Sequence, residues 1–435
     1  MKSPLTKLHS YYHDFFRSSN VRKNITKVYG GDVLSKIISV GTAIIVIRGL
    51  SVSDYAAYTA FYTILLLIPG LVGNGVNLAL VRFSAEYISK EERQPVELYF
   101  ASFVFQFLLY SILGGVIFLV SDGVNKVLFG PKVFDSALIY GLLGGMGFLI
   151  SQAGRGVYNA EEKFGNYIKI LWLRQAMTFG VVLLLILLKL LNYINVARSI
   201  IAIELGIAGI ISYHIFKDID FNKISLFLRE RSGIIREFVL SARWLIAYFI
   251  ILSCLQRLNI FMLSHLSSEN ELANYSVAFR YYALALLLLN SIHAVLLPRF
   301  AKIDMQDSSR QSQFIVKWLK ATTWLIIPII LIDSFGKPLF LWINGVQYEK
   351  AYLIFVIFSI GVWVSLMFSP LVNILMARKA FKFLFILSCI AFAINFIGNY
   401  FIIPLWGGIG TAVVAILSIG LINIVSGMRI FFYTQ

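Results

Sequence analysis

Twelve stretches of this chain are apolar over lengths that no soluble fold needs: roughly residues 33–50, 55–81, 97–120, 135–155, 167–190, 197–216, 237–264, 272–297, 314–334, 350–377, 381–403 and 408–430. A bilayer core takes about 20 apolar residues per helix, and in hydrocarbon only helices or closed barrels satisfy their own backbone groups. The runs do not alternate apolar with polar residues, which rules against barrel strands. Composition agrees, with 59% hydrophobic and only 14% charged residues, against about 25% charged in soluble domains. The expected fold class is an all-α integral membrane protein with about twelve transmembrane helices in two six-helix bundles.

The net charge of +16 could point to nucleic acid, but the 38 Lys and Arg residues are spread through short loops. Counted with the N-terminus inside, the cytoplasmic segments hold 25 of them. The outer side holds seven: Arg48, Lys126, Lys132, Lys189, Arg198, Lys337 and Lys350. That bias places both termini in the cytoplasm. No outer loop is long enough to form a domain that could house a reaction. Cys254 and Cys389 both fall inside spans, too far apart for a metal or redox motif,. The first thirty residues lack the apolar core of a cleavable signal, so the first span is expected to direct insertion.

The chain repeats itself at one shift. Moving by 217 residues lays Tyr58 on Tyr275 and Arg82 on Arg299, LALVRFSAE (78–86) on VLLPRFAKI (295–303), and NAEEKFGNY (159–167) on MARKAFKFL (376–384). One ungapped shift serving separate places indicates two similar halves. The expected organisation is a basic cytoplasmic segment (1–32), an N-terminal bundle (33–216), an amphipathic basic linker helix (217–236) and a C-terminal bundle (237–435). Pro69-Gly70 with Gly73 and Gly75, Pro328, and Pro370 interrupt spans, as hinges or as static kinks. GGIGTA (407–412) opens the last span with small residues that permit close helix approach.

Six basic residues remain inside the spans: Lys36, Arg174, Arg243, Arg257, Arg280 and Lys320. Lys36, Arg243 and Lys320 lie near cytoplasmic ends and can snorkel. Arg174, Arg257 and Arg280 lie deeper and have no acid nearby in sequence. Arg48, Arg82, Arg155 and Arg299 stand at span ends, where they can line the mouths of a cleft. A buried Arg is costly unless it faces water, an acid or a ligand. Its planar fork suits phosphate oxygens, so these seven arginines are the candidate substrate-binding residues for an anion. Glu204 and Asp333 are the acids available for ion coupling or for pairing with an arginine. Asn74, Asn77, Asn290, Asn373, Asn395 and Asn399 read as interhelical glue. His214, His265 and His293 lack the partners of a metal site, and no Walker loop, nucleophile elbow or zinc-hydrolase motif occurs. Neither a catalytic centre nor a cofactor is expected.

Several motifs together carry a resemblance: IRGLSVSDYAAYT (47–59), NLALVRFSAEY (77–87), LSSENELANYSVAFRYY (266–282), LLPRFAK (296–302), and LVNILMARKAFKFL with NFIGNYFIIPLWGGIGTA (371–384 and 395–412). The chain resembles the Wzx-type polysaccharide repeat-unit flippases of the multidrug/oligosaccharidyl-lipid/polysaccharide exporter superfamily. The resemblance implies two MATE-like bundles facing each other across a V-shaped central cleft, and alternating access. Its implied substrate is a polyprenyl (undecaprenyl) diphosphate-linked oligosaccharide, carried across a bacterial cytoplasmic membrane for O-antigen or capsule synthesis beside a polysaccharide polymerase partner. Relatives often carry an acid before the arginine of the seventh span, whereas Gln256 precedes Arg257 here, so that acid's role does not carry over. Two other functions compete. A drug or organic-cation antiporter would want an acidic cavity, and a membrane polymerase or glycosyltransferase would want a large outer loop.

Overall fold

The computed structural model of the protein describes residues 19–91, 96–130, 135–161, 163–217, 232–302 and 308–433, and among them every regular element is a helix. The first half comprises α1 (Ser19–Gly49), α2 (Val52–Glu91), α3 (Val96–Leu119), the short α4 (Ser121–Phe129), α5 (Asp135–Ala160), α6 (Phe164–Leu187) and α7 (Tyr193–Phe216). The second comprises α8 (Ser232–Leu266), α9 (Glu269–Lys302), α10 (Ser308–Thr323), α11 (Ile326–Phe335), the short α12 (Lys337–Asn344), α13 (Glu349–Ala377) and the long α14 (Phe381–Tyr433). The described residues hold nine helical stretches long and apolar enough to cross a membrane, one running across α10 and α11 and one a 50-residue stretch of α14. The chain is a multi-pass, all-α membrane protein.

The shift of 217 reappears in the helix boundaries. Gly49 and Leu266 end α1 and α8, Val52 and Glu269 begin α2 and α9, Ala160 and Ala377 end α5 and α13, and Phe164 and Phe381 begin α6 and α14. The caps repeat as well. Ser51 accepts from the Asp54 amide at 3.1 Å and Ser268 accepts from the Glu271 amide at 3.2 Å, each satisfying a free N–H in the first turn,. Thr59 and Ser276 likewise donate to the carbonyls four residues back. Matching turn chemistry therefore starts the second helix of each half in the same place.

Three expected boundaries differ. α1 already begins at Ser19, because the helix continues through the basic residues before the apolar run. The span expected over 314–334 is broken between α10 and α11 at Trp324–Leu325, just before Pro328. Proline disfavours helix in the residue ahead of it and supplies no N–H. At the break the Leu325 amide and the Trp363 indole both donate to the Thr322 carbonyl, at 3.2 and 3.1 Å. The last two expected spans run together as α14, which bends at Gly407 with φ +52. Only glycine adopts that conformation freely. Glu271 of α9 accepts from the Gly408 amide at 2.9 Å and so caps the second arm from a distant helix. Apart from Lys217 and the start of α8 at Ser232, the expected linker helix lies outside the described residues, as do residues 1–18.

Within the first half α2 packs on α5 and α5 on α7. Within the second, α8 and α13 pack on α14 and α9 packs on α13. The halves meet where α2 lies against α8 and α9. A Cβ on Gly75 of α2 would come within 2.6 Å of the Ile246 Cα on α8, so the two backbones approach as closely as glycine allows,. Asn74 donates to Ser253 at 3.2 Å on the same seam. Polar glue holds each half: Gln106 donates to Asn77 at 3.0 Å, and Asn399 donates to Asn259 at 2.7 Å and to Asn395 at 2.8 Å. Unpaired amides would cost several kcal/mol in hydrocarbon. The side chains of Asn290 and Asn373 lie outside the described set.

Candidate functional site

The deep arginines sit on two sides of the α2 seam. Arg280 is eleven residues into α9, about 16 Å along the helix from its first residue,. It rests on a stripe of tyrosines that α2 presents at 55, 58 and 62, spacings that keep them on one helix face. The Arg280 Nη2 donates to the Tyr58 hydroxyl at 3.3 Å. Its guanidinium lies 5.5 Å from the Tyr58 ring centre and 5.9 Å from that of Tyr62, within cation–π range,. Tyr58 stacks with Tyr55 at 6.0 Å and with Tyr62 at 5.8 Å, and Tyr55 meets Tyr348 of the second half edge-on at 6.0 Å. Arg257 of α8 shares electrostatic reach with Tyr62 and Tyr275. Among the described residues no carboxylate pairs with Arg280 or Arg257.

Arg174 differs from its sequence reading, which found no neutralising partner. Its Nη2 lies 2.5 Å from Glu204 Oε1, and both side chains are largely buried. The reason is geometric: α6 and α7 are consecutive antiparallel helices, so residues at similar distance from their turn come to the same depth. Arg174 also lies 4.7 Å from the Phe148 ring centre, and Arg155 shares that ring at 5.9 Å. Arg155 is within electrostatic reach of both Arg174 and Glu204, and Arg174 reaches Tyr58. The structure therefore brings Arg155, Arg174 and Glu204 together, and links them through the tyrosine stripe to Arg280 and Arg257.

The remaining candidates lie elsewhere. Arg48 is exposed near the end of α1. Arg82 and Arg299 occupy equivalent positions, 217 residues apart, in the C-terminal parts of α2 and α9, with side chains outside the described set. Asp333 accepts from the Ser359 hydroxyl at 2.5 Å and, among the described residues, pairs with no arginine. Pro69-Gly70 lies within α2 without breaking it, and Gly70 faces Ser253 across the seam. Pro328 sits just beyond the α10–α11 break, and Pro370 lies within α13. Sequence reasoning missed Tyr55, Tyr58, Tyr62 and Phe148. Their signal was an aromatic stripe at helical spacing, which reads equally well as ordinary packing.

Such an arrangement can hold an anion. Two guanidiniums with no carboxylate partner among the described residues, and a third shared with one acid, lie in apolar helices around a stripe of tyrosines, where low dielectric strengthens charge interactions,. Among solved structures, the lipid II flippase MurJ in its inward closed conformation is similar with a TM-score of 0.71 at 14% identity, covering 94% of this chain and 90% of that one. An inward-facing multidrug resistance MATE family transporter of the MOP superfamily is similar with a TM-score of 0.64 at 13% identity, covering 92% and 93%. A MOP superfamily transporter from Pyrococcus furiosus, described as having a binding pocket of reverse polarity that suggests a different function, is similar with a TM-score of 0.57 at 16% identity, covering 95% and 94%. At these identities the likeness is one of fold. No curated protein matches the chain in sequence. A family model described as polysaccharide biosynthesis protein matches residues 21–304. That match takes in all of the first half and the α8–α9 hairpin that carries Arg257 and Arg280, and by it the chain belongs to the polysaccharide biosynthesis protein family.

Proposed function

We propose that this protein is a flippase for polyprenyl-diphosphate-linked oligosaccharide repeat units, moving them from the cytoplasmic to the outer leaflet of a bacterial cytoplasmic membrane by alternating access. The observation that carries the reading is the pair Arg280 and Arg257, half-buried deep within long apolar helices beside tyrosines and paired with no carboxylate among the described residues. Uncompensated guanidiniums at that depth are costly without a ligand, and a diphosphate offers the oxygens that match their fork. In this reading the diphosphate sits between Arg280, Arg257 and Arg174. The lipid tail stays in the bilayer, and Arg48, Arg82, Arg155 and Arg299 attract the anion at the mouths. The glycan would serve O-antigen or capsule synthesis and pass to a polysaccharide polymerase outside. Both termini would be cytoplasmic, and Pro69-Gly70, Pro328 and Pro370 would accommodate the movement of the halves.

Purified protein in liposomes tests the reading, with a labelled polyprenyl-diphosphate glycan in the inner leaflet and its arrival outside followed over time. Accelerated arrival supports a flippase. Transport of an organic cation with no lipid movement would instead support the antiporter reading, although the cationic interior is the wrong sign for it. Deletion of the gene is expected to trap completed lipid-linked units on the cytoplasmic face. Singly capped units outside would point to a polymerase.

A further inference from the structure

Anion binding by Arg174 leaves its neighbour Glu204 unexplained. Only Oε1 of that carboxylate meets Arg174; Oε2 is buried without a hydrogen-bond partner among the described residues. Its backbone packs tightly on α5, where a Cβ on Gly147 would lie 2.6 Å from the Glu204 carbonyl carbon. The charged and titratable groups around it are Arg174 of α6 and Arg155 of α5, with Tyr58 of α2 beyond Arg174 and Tyr167 of α6 beyond Arg155. Arg174 is paired with the acid, Arg155 lies within its electrostatic reach, and both guanidiniums rest on the Phe148 ring.

We propose that Glu204 is a resident counter-anion that exchanges between the two arginines. In the empty protein it neutralises Arg174. When a diphosphate engages Arg174, the carboxylate passes to Arg155, which keeps a buried negative charge from being stranded. When the anion leaves, Glu204 returns to Arg174. The inference rests on the flippase reading and assigns Arg155 a different task within it, that of receiving Glu204 rather than the substrate. Glu204 is then a positioning residue that holds affinity low enough for release.

Binding of inorganic pyrophosphate to the full-length protein in nanodiscs, and separately of polyprenyl diphosphate incorporated in the same discs, tests the exchange. Glu204→Gln, which keeps the shape and removes the charge, is expected to bind pyrophosphate about tenfold tighter, equivalent to ~1.4 kcal/mol. Flipping by that variant should be slower than native. Arg155→Met should weaken pyrophosphate binding in the native background and change it little in the Glu204→Gln background, because the two residues act as a pair. Thermal midpoints check that each variant is folded. Native protein that binds pyrophosphate, with Glu204→Gln binding equally or more weakly, overturns the exchange and leaves the flippase reading standing. An Arg155→Met effect of the same size in both backgrounds overturns it too. Failure of native and Glu204→Gln proteins alike to bind either ligand overturns the function and the exchange together. Binding of the lipid but not of pyrophosphate, with Glu204→Gln again tighter, supports the exchange and assigns the ligand to the lipid head group.

Discussion

The Arg280 guanidinium and the Tyr58 hydroxyl, 222 residues apart in the chain, lie 3.3 Å apart and join α9 to α2 across the two halves. A group proposed to grip substrate that also ties the halves together has two reasons to matter.

Arg280→Ala is expected to reduce flipping in liposomes by about 10- to 150-fold, the equivalent of a charged hydrogen bond of about 1.5–3 kcal/mol. Protein level should stay near native, and any fall in thermal midpoint reports the lost tie between α9 and α2. Arg280→Lys should recover part of the rate, since the charge returns without the planar fork. Native flipping by the alanine variant would remove Arg280 from the site.

Gly75→Val should lower stability by about 1–3 kcal/mol, the usual cost of overpacking. Even the first carbon of a side chain there would come within 2.6 Å of the Ile246 Cα. Thermal unfolding in detergent checks this. A variant as stable as the native protein would mean that α2 and α8 do not approach so closely.

Glu271→Ala should lower stability by about 0.5–2 kcal/mol, as for loss of a helix cap. It removes the acceptor of the Gly408 amide at 2.9 Å and the Lys350 partner at 3.1 Å. Glu271→Gln, which keeps an acceptor oxygen, should cost less. Equal losses for both variants would assign the effect to the ion pair.

Asn74→Cys with Ser253→Cys, in a background where Cys254 and Cys389 are serine, places two thiols on the α2–α8 seam. A short bifunctional thiol reagent is expected to join them and stop flipping, and a cleavable version should restore it on reduction. Flipping that continues in fully crosslinked protein would show that this seam does not open during transport.

Much of the architecture was legible in the sequence because lipid leaves a chain few choices. Long apolar runs must be helices, and the shift of 217 seen in residue identities returns in the helix ends and in the Ser51 and Ser268 caps. The α10–α11 break and the Gly407 bend were harder. Hydropathy averages over the few residues where Pro328 or a positive φ redirects the backbone. Arg174 and Glu204 could have been paired from sequence, since they stand at similar distances from the turn between their helices. Arg280 on Tyr58 could not, because nothing local says which helices of the two halves face each other.

The uncompensated pair Arg257 and Arg280 also bears on energetics through voltage. In the proposed cycle, an empty carrier with two positive charges inside the membrane would feel the transmembrane field, while the same carrier neutralised by a diphosphate would feel much less of it. A charge crossing the whole field gains or loses about 2.3 kcal/mol per 100 mV. An inside-negative potential would then act mainly on the return of the empty carrier toward the cytoplasm, so the resting potential of the cell itself would help reset the protein for its next lipid.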